Sequence, residues 1–351
     1  MKKIISIVLG VAALAACTKT SVSYEQPGEI ALAPVTRANM TKAAITGTTF
    51  PTTNDMGVYA FYNAGKDAGT SKVDFLANSA AYLQNVEFVN RTGSNNWGGR
   101  TSYYWPKTGS LVFAAYSPKA ANLAYSAGED KFSKAEYVQS TDLANTVDLL
   151  WSPMTATSHD KGTGAVAMTF YHAMSWVTVQ AVAANTDSEE KFKVKSVELN
   201  GIVNKGAFKT SGATIAWTPS TLADDVQNLS VLNNGESSYT EIKKMTPAVV
   251  LENVEKGTVV IPQSLGDAVT LTVVFSQKMP TGDWSADQNL TFTLNKCKVG
   301  GESLNSWDNG KHYIYTLSFN IKGEGPDNNE ILIAPKLEDW KGVTVDSINA
   351  Q

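Results

Sequence analysis

From residue 56 onward, short apolar or alternating runs are separated by clusters of Gly, Asn, Pro and Ser. Runs at 56–62, 82–89, 102–105 and 110–116 predict a first series of strands. Runs at 164–170, 176–183, 192–199, 206–209, 258–261, 269–277, 290–294, 313–321 and 337–345 predict a second. The best helical candidate, 220–232, is short and broken by Asp and Asn. Many short strands with few helices to carry crossovers predict an all-β protein made of β-sandwiches.

The polar stretch Asn185-Thr186-Asp187-Ser188-Glu189-Glu190 is the strongest break near the middle. Linkers and hairpins share the same turn chemistry, so it reads as either. The length exceeds what one hydrophobic core usually serves, which favours two domains, 38–185 and 186–351.

The start of the chain follows a different pattern. Met1-Lys2-Lys3 is basic, residues 4–14 are apolar, and Leu14-Ala15-Ala16-Cys17 closes the run with small residues. The run is shorter than the ~20 apolar residues of a membrane-spanning helix, so 1–16 reads as an export signal. The Leu-Ala-Ala-Cys box resembles the lipobox of bacterial lipoproteins, which implies lipid on Cys17 and cleavage just before it. By resemblance to the sorting rule of such lipoproteins in diderm bacteria, Thr18 rather than Asp after the cysteine implies the outer membrane. Residues 18–51 are polar apart from Glu29-Ile30-Ala31-Leu32-Ala33-Pro34-Val35, which reads as one strand within a tether.

Composition removes several function classes. Lys and Arg number 29 against 33 Asp and Glu, a net charge of −4, so no basic face is available for nucleic acid. With Cys17 lipidated, the second cysteine, Cys297, has no intramolecular partner. His159, His172 and His312 are far apart and form no metal-binding pattern, and no Gly-x-Ser-x-Gly elbow exists. His172 reads as a structural residue bonding the backbone, Asp224-Asp225 and Glu189-Glu190 as solvated carboxylates, and Gly98-Gly99 as a turn. No catalysis, metal or cofactor is expected. Trp97, Tyr103, Tyr104 and Trp105 could form a sugar-stacking platform; alternatively Tyr103 and Trp105, which share a strand face, fill the core.

A set of motifs then occurs in a recognisable order: Thr36-Arg37-Ala38, Gly57-Val58-Tyr59-Ala60-Phe61-Tyr62, Tyr103-Tyr104-Trp105-Pro106 and Leu111-Val112-Phe113-Ala114-Ala115-Tyr116-Ser117-Pro118. Asp148-Leu149-Leu150, Phe170-Tyr171-His172-Ala173-Met174-Ser175-Trp176-Val177, Ile261-Pro262-Gln263 and Trp307-Asp308-Asn309-Gly310-Lys311-His312-Tyr313 follow. Behind a lipobox, this order resembles the fimbrillins and minor-fimbrillin-like lipoproteins of Bacteroidetes. The resemblance implies two transthyretin-like Greek-key sandwiches in tandem and assembly with other pilin subunits by strand exchange. It implies that a trypsin-like protease cuts between Arg37 and Ala38, so that 17–37 is a lipidated pro-segment. The strand that leaves would carry Ile30, Leu32 and Val35. The donor strand would come from the C-terminus, from Ile331-Leu332-Ile333-Ala334-Pro335 and the stretch 342–348 with its alternating Val343 and Val345. The implied path runs from an outer-membrane anchor to a surface fimbrium that adheres to a host or bacterial ligand. The rival reading, from the clustered aromatics, is a glycan-binding surface lipoprotein.

Overall fold

The computed structural model describes residues 28–36, 50–65, 72–77, 79–91, 96–142, 145–155, 165–185, 188, 190–230, 240–241, 248–249, 257–321 and 329–339. Among them the secondary structure is almost entirely strand, with one short α-helix, Lys72–Leu76. The first half holds β1 (Leu32–Thr36), β2 (Asp55–Asn63), β3 (Ala80–Asn90), β4 (Trp97–Gly99), β5 (Ser110–Ser117), β6 (Ala124–Ser126), β7 (Lys131–Val138), β8 (Leu150–Ser152) and β9 (Val166–His172). The second opens with β10 (Ser175–Ala183), β11 (Phe192–Val203), β12 (Lys205–Ser211), β13 (Thr214–Pro219), β14 (Val226–Ser230), β15 (Thr240–Glu241), β16 (Ala248–Val249) and β17 (Thr258–Val260). It ends with β18 (Gln263–Ser264), β19 (Thr270–Gln277), β20 (Gln288–Thr293), β21 (Lys298–Val299), β22 (Glu302–Ser303), β23 (Ser306–Trp307), β24 (Lys311–Ile321) and β25 (Asn329–Asp339).

Seven strands form a closed path in the order β1-β4-β3-β2-β5-β8-β9, and β9 returns to β1 by a parallel pairing. Their inward residues, among them Leu32, Met56, Val58, Phe88, Trp97, Phe113, Met168 and Phe170, make one core. β5 is buried along its whole length because it is covered on both sides. Leu111, Phe113 and Ala115 face the closed core, while Ala114 and Tyr116 meet Phe132, Tyr137 and Phe208 outside it.

That outer layer is a four-stranded sheet in the order β13-β12-β7-β6, drawn from both halves of the chain. Trp217 Nε1 donates to the Ala173 carbonyl at 2.7 Å. Gln139 Nε2 donates to the carbonyls of Val147 and Val259, tying the first half to the second.

The rest is a two-sheet sandwich. One sheet runs β16-β10-β24-β25, with β17 also on β10; the other runs β14-β11-β19-β20, with β15 also on β11. Alternate residues of β10 and β24, such as Val177, Val179, Tyr315 and Phe319, pack on Val194, Val197, Leu271 and Val273 of the facing sheet. β11 bulges at Gly201, whose φ is +75° and where a Cβ would stand 2.4 Å from the Ala268 carbonyl oxygen, so only glycine fits.

The all-β expectation holds, and most expected strands appear within a residue or two. The others differ for local reasons. The 102–105 run makes only one bridge, Tyr104 to Glu29. Residues 220–232 are not helical: Ala223–Asp225 is a 3-10 turn leading into β14. The terminal strand begins at Asn329, ahead of the expected 337, because β24 pairs with it over eleven residues. Strand β10, before the polar break at 185–190, shares a sheet with β24, while β12, after it, pairs with β7. Main-chain continuity between the sheets therefore passes through residues 172–175 as well as through the break.

Candidate functional site

The seam of the N-terminal sheet is closed by β1 and the residues just before it. Ile30 and Leu32 are 1% and 0% exposed, Pro34 is buried, and Ala31 and Ala33 are half-buried, so the period of two places one apolar face inward. Along one side, Leu32, Ala33, Pro34, Val35 and Thr36 run parallel to Val166, Ala167, Met168, Thr169 and Phe170. The other side is held sparsely. Leu32 pairs with Trp97, the Ile30 amide donates to the Tyr103 carbonyl at 2.7 Å, and the Trp105 amide donates to the Gly28 carbonyl at 3.0 Å. Pro34 lies past Leu32, the last residue that β4 pairs, where a missing N–H is tolerated.

The cluster beneath β1 includes Phe50, Trp97, Met168 and Phe170. Phe50 meets Trp97 edge-on with centroids 4.9 Å apart, and Phe170 at 4.8 Å. Fully burying an Ile or Leu contributes about 1.5–3 kcal/mol, so Ile30 and Leu32 anchor the strand and their departure would expose an apolar groove. It would also expose a row of backbone groups on β9, which are costly to leave unpaired.

A charge marks one end of this groove. The Arg91 guanidinium bonds both the Glu29 carboxylate and the Gly99 carbonyl oxygen. Gly98 makes this approach feasible: a Cβ there would stand 2.8 Å from Arg91 Nε. The sequence marks Glu29 only as the first residue of the strand and gives Arg91 no role; an acid directly before an alternating apolar run is the signal for their pairing.

The sequence-derived site residues divide sharply. Ile30 and Leu32 lie together in the core, and the Val35 backbone pairs opposite Thr169. Cys17, Arg37, Ala38, Val343 and Val345 lie outside the described residues, although Arg37 directly follows the end of β1. The earlier part of the donor candidate, 331–335, is paired with β24 in its own chain. Trp97 and Trp105 are 0% and 2% exposed and belong to the core, while Tyr104 points out to solvent at 49%. The aromatic cluster is therefore core packing, not an open sugar platform.

The remaining chemistry is structural. His159 lies outside the described residues. His172 is buried, as a structural histidine should be, and its Nδ1 is 2.8 Å from the Asp148 carboxylate. His312 stacks on Trp176 with centroids 3.4 Å apart and bonds Thr178 Oγ1 at 2.9 Å; burial pushes its pKa down to about 3, with nearby Lys336 adding to the shift. Asp225 is buried rather than solvated, paired with Lys205 at 2.8 Å and Ser220 at 2.6 Å; these hydrogen bonds lower its pKa. Gly98 and Gly99 sit in β4 rather than a turn. Among the described residues, no group of three or more His, Cys, Asp or Glu could hold a metal ion.

A family model described as fimbrillin-like matches residues 36–340. The chain belongs to the fimbrillin-like family. Two solved structures resemble this fimbrillin-like chain in fold. A fimbrial protein from Bacteroides vulgatus is 14% identical, with a TM-score of 0.54 over 89% of this chain and 99% of that one. A candidate cell adhesion protein from Bacteroides uniformis is 16% identical, with a TM-score of 0.51 over 90% of this chain and 98% of that one. No curated protein matches the chain. The family match begins at Thr36, so the segment carrying Ile30 and Leu32 precedes it.

Proposed function

We propose that this fimbrillin-like protein is a structural subunit of a cell-surface fimbrium that serves adhesion, without catalysis. In this reading the chain is exported, lipidated on Cys17 and held at the outer membrane. A trypsin-like protease then cuts between Arg37 and Ala38, and 17–37 leaves with the anchor. The vacated seam between β4 and β9 is refilled by a strand of another subunit. Repeating that head-to-tail contact builds a filament, because the operation does not close on itself. We also read two structural units, the closed sheet and the sandwich, with the passage at 172–175 as a second boundary candidate beside 185–190.

One observation carries this reading. The strand next to Arg37 places two fully buried side chains in the core, yet it is bonded along its length on one side only. Such a strand is both necessary and separable. The test is limited digestion of purified precursor with a trypsin-like protease. A discrete cut after Arg37 followed by a ladder of oligomers supports the reading. A cut with persistent monomer, or no cut near Arg37, counts against it.

A further inference from the structure

Between β13 of the outer sheet and the β18–β23 pair lies an open cleft of about 260 Å³ that strand exchange leaves without a role. One wall is the half-buried face of β13, with Ile215, Trp217 and Pro219 in alternate positions. The other is the turn from β23 to β24, with Asp308 and Asn309, together with Ser264 at the end of β18. Gly310, at φ +65°, gives this turn its shape. It does not explain why a carboxylate and an amide stand across the cleft from a tryptophan.

Both walls are fixed. Trp217 Nε1, bonded to the Ala173 carbonyl, pins the ring, which also packs on Phe208 and Tyr137 with centroids 4.8 and 5.7 Å away. Part of the ring is left to line the cleft. The Asp308 backbone is held at both ends: its N–H donates to Tyr313 Oη at 2.7 Å, and its carbonyl accepts from Ser175 Oγ at 2.9 Å. Ser306 Oγ donates to Asp308 Oδ1 at 2.9 Å and orients the carboxylate. The Asn309 side chain makes no hydrogen bond among the described residues. Walls held in this way bind without the ordering cost that mobile side chains impose.

We propose that this cleft binds one neutral pyranose ring of a surface glycan. This rests on the adhesive reading and names its ligand class, but it needs no strand exchange. The cleft is smaller than the ~300 Å³ at which sites for drug-sized ligands begin, so it takes a single ring rather than an extended segment. A pyranose carries a face of C–H groups and a rim of hydroxyls. The C–H face lies on Trp217 between Ile215 and Pro219, where an aromatic ring offers apolar area with fixed geometry. The hydroxyls meet an acceptor in the Asp308 carboxylate, a donor and an acceptor in the Asn309 amide, and the Ser264 hydroxyl. No Lys, Arg or His lines the cleft, and Asp308 repels a second carboxylate, so acidic sugars are disfavoured. Unlike Trp97 and Trp105, Trp217 is within reach of a ligand.

The test uses the uncut full-length chain with the methyl glycosides of glucose, galactose, mannose and N-acetylglucosamine and with methyl glucuronide, read by saturation-transfer NMR. At least one neutral glycoside is expected to bind with a Kd of about 1–10 mM, as suits so small a ligand, and to be saturated most strongly on its C–H face. Trp217 also holds the fold through Ala173, so the variants sit on the polar wall. Asp308→Ala and Asn309→Ala should each weaken that binding about threefold to tenfold. Asn309→Ala removes no hydrogen bond of the fold, so it decides the matter if Asp308→Ala disturbs the turn. The glucuronide should bind more weakly than the glucoside. Binding by none of the neutral glycosides, glucuronide binding as strong as that of the glucoside, or binding that Asn309→Ala leaves unchanged overturns the inference. Each of these results leaves the digestion assay untouched, so the fimbrial reading stands or falls separately.

Discussion

Leu32 lies beside Val166 in a parallel pairing, and that contact begins the five-residue seam which closes the N-terminal sheet. Its side chain is wholly buried in the core that Phe50, Trp97 and Phe170 share. Leu32→Ala should therefore lower the stability of the unprocessed chain by about 2–5 kcal/mol, measured by urea denaturation. An effect below about 0.5 kcal/mol would mean that β1 is not part of the core.

The pairing of His172 with Asp148 is a second buried contact with a measurable consequence. Both side chains are nearly inaccessible, so removing one partner strands the other. Asp148→Ala should cost about 2–5 kcal/mol in the same assay. Near-neutral behaviour would show that the pair contributes nothing net.

His312 supplies a pH dependence. Its folded pKa is about 3 against an ordinary value of 6.5, so between those values the unfolded chain binds the extra proton. Stability from this group is complete above about pH 6.5 and falls as pH drops toward 3, by about 1–3 kcal/mol between pH 7 and 4.5. Other carboxylates also titrate on acidification, so the readout is the difference in slope between wild type and His312→Phe. Equal slopes would contradict the assignment.

The aromatic cluster yields a contrast between neighbours. Trp97→Ala should destabilise by about 3–5 kcal/mol, whereas Tyr104→Ala should stay within about 0.5 kcal/mol. Retardation on polysaccharide gels that Tyr104→Ala alone abolishes would revive the sugar platform at this cluster.

Alternation made most strands legible, including 29–35, because half-buried strands must repeat every two residues. The partner of that strand was not legible. β9 lies some 130 residues away and pairs in parallel, so no local turn announces it. Gly98-Gly99 read as a turn because paired glycines usually are one. Here they let a strand pass against Arg91 and Tyr103, whose atoms stand 2.8 and 2.6 Å from the Cβ positions that the glycines lack. Asp225 read as solvated because its sequence neighbours are polar, while its cover comes from Lys205 and Ser220 on adjoining elements.

Hydrogen exchange at the β9 amides that face β1, beginning with Val166, which donates to the Ala31 carbonyl at 2.8 Å, tests strand exchange most directly. The account predicts slow exchange in the unprocessed chain, fast exchange once the segment before Ala38 has been cut and removed, and slow exchange again in the oligomer. Protection that persists in the processed monomer would contradict it.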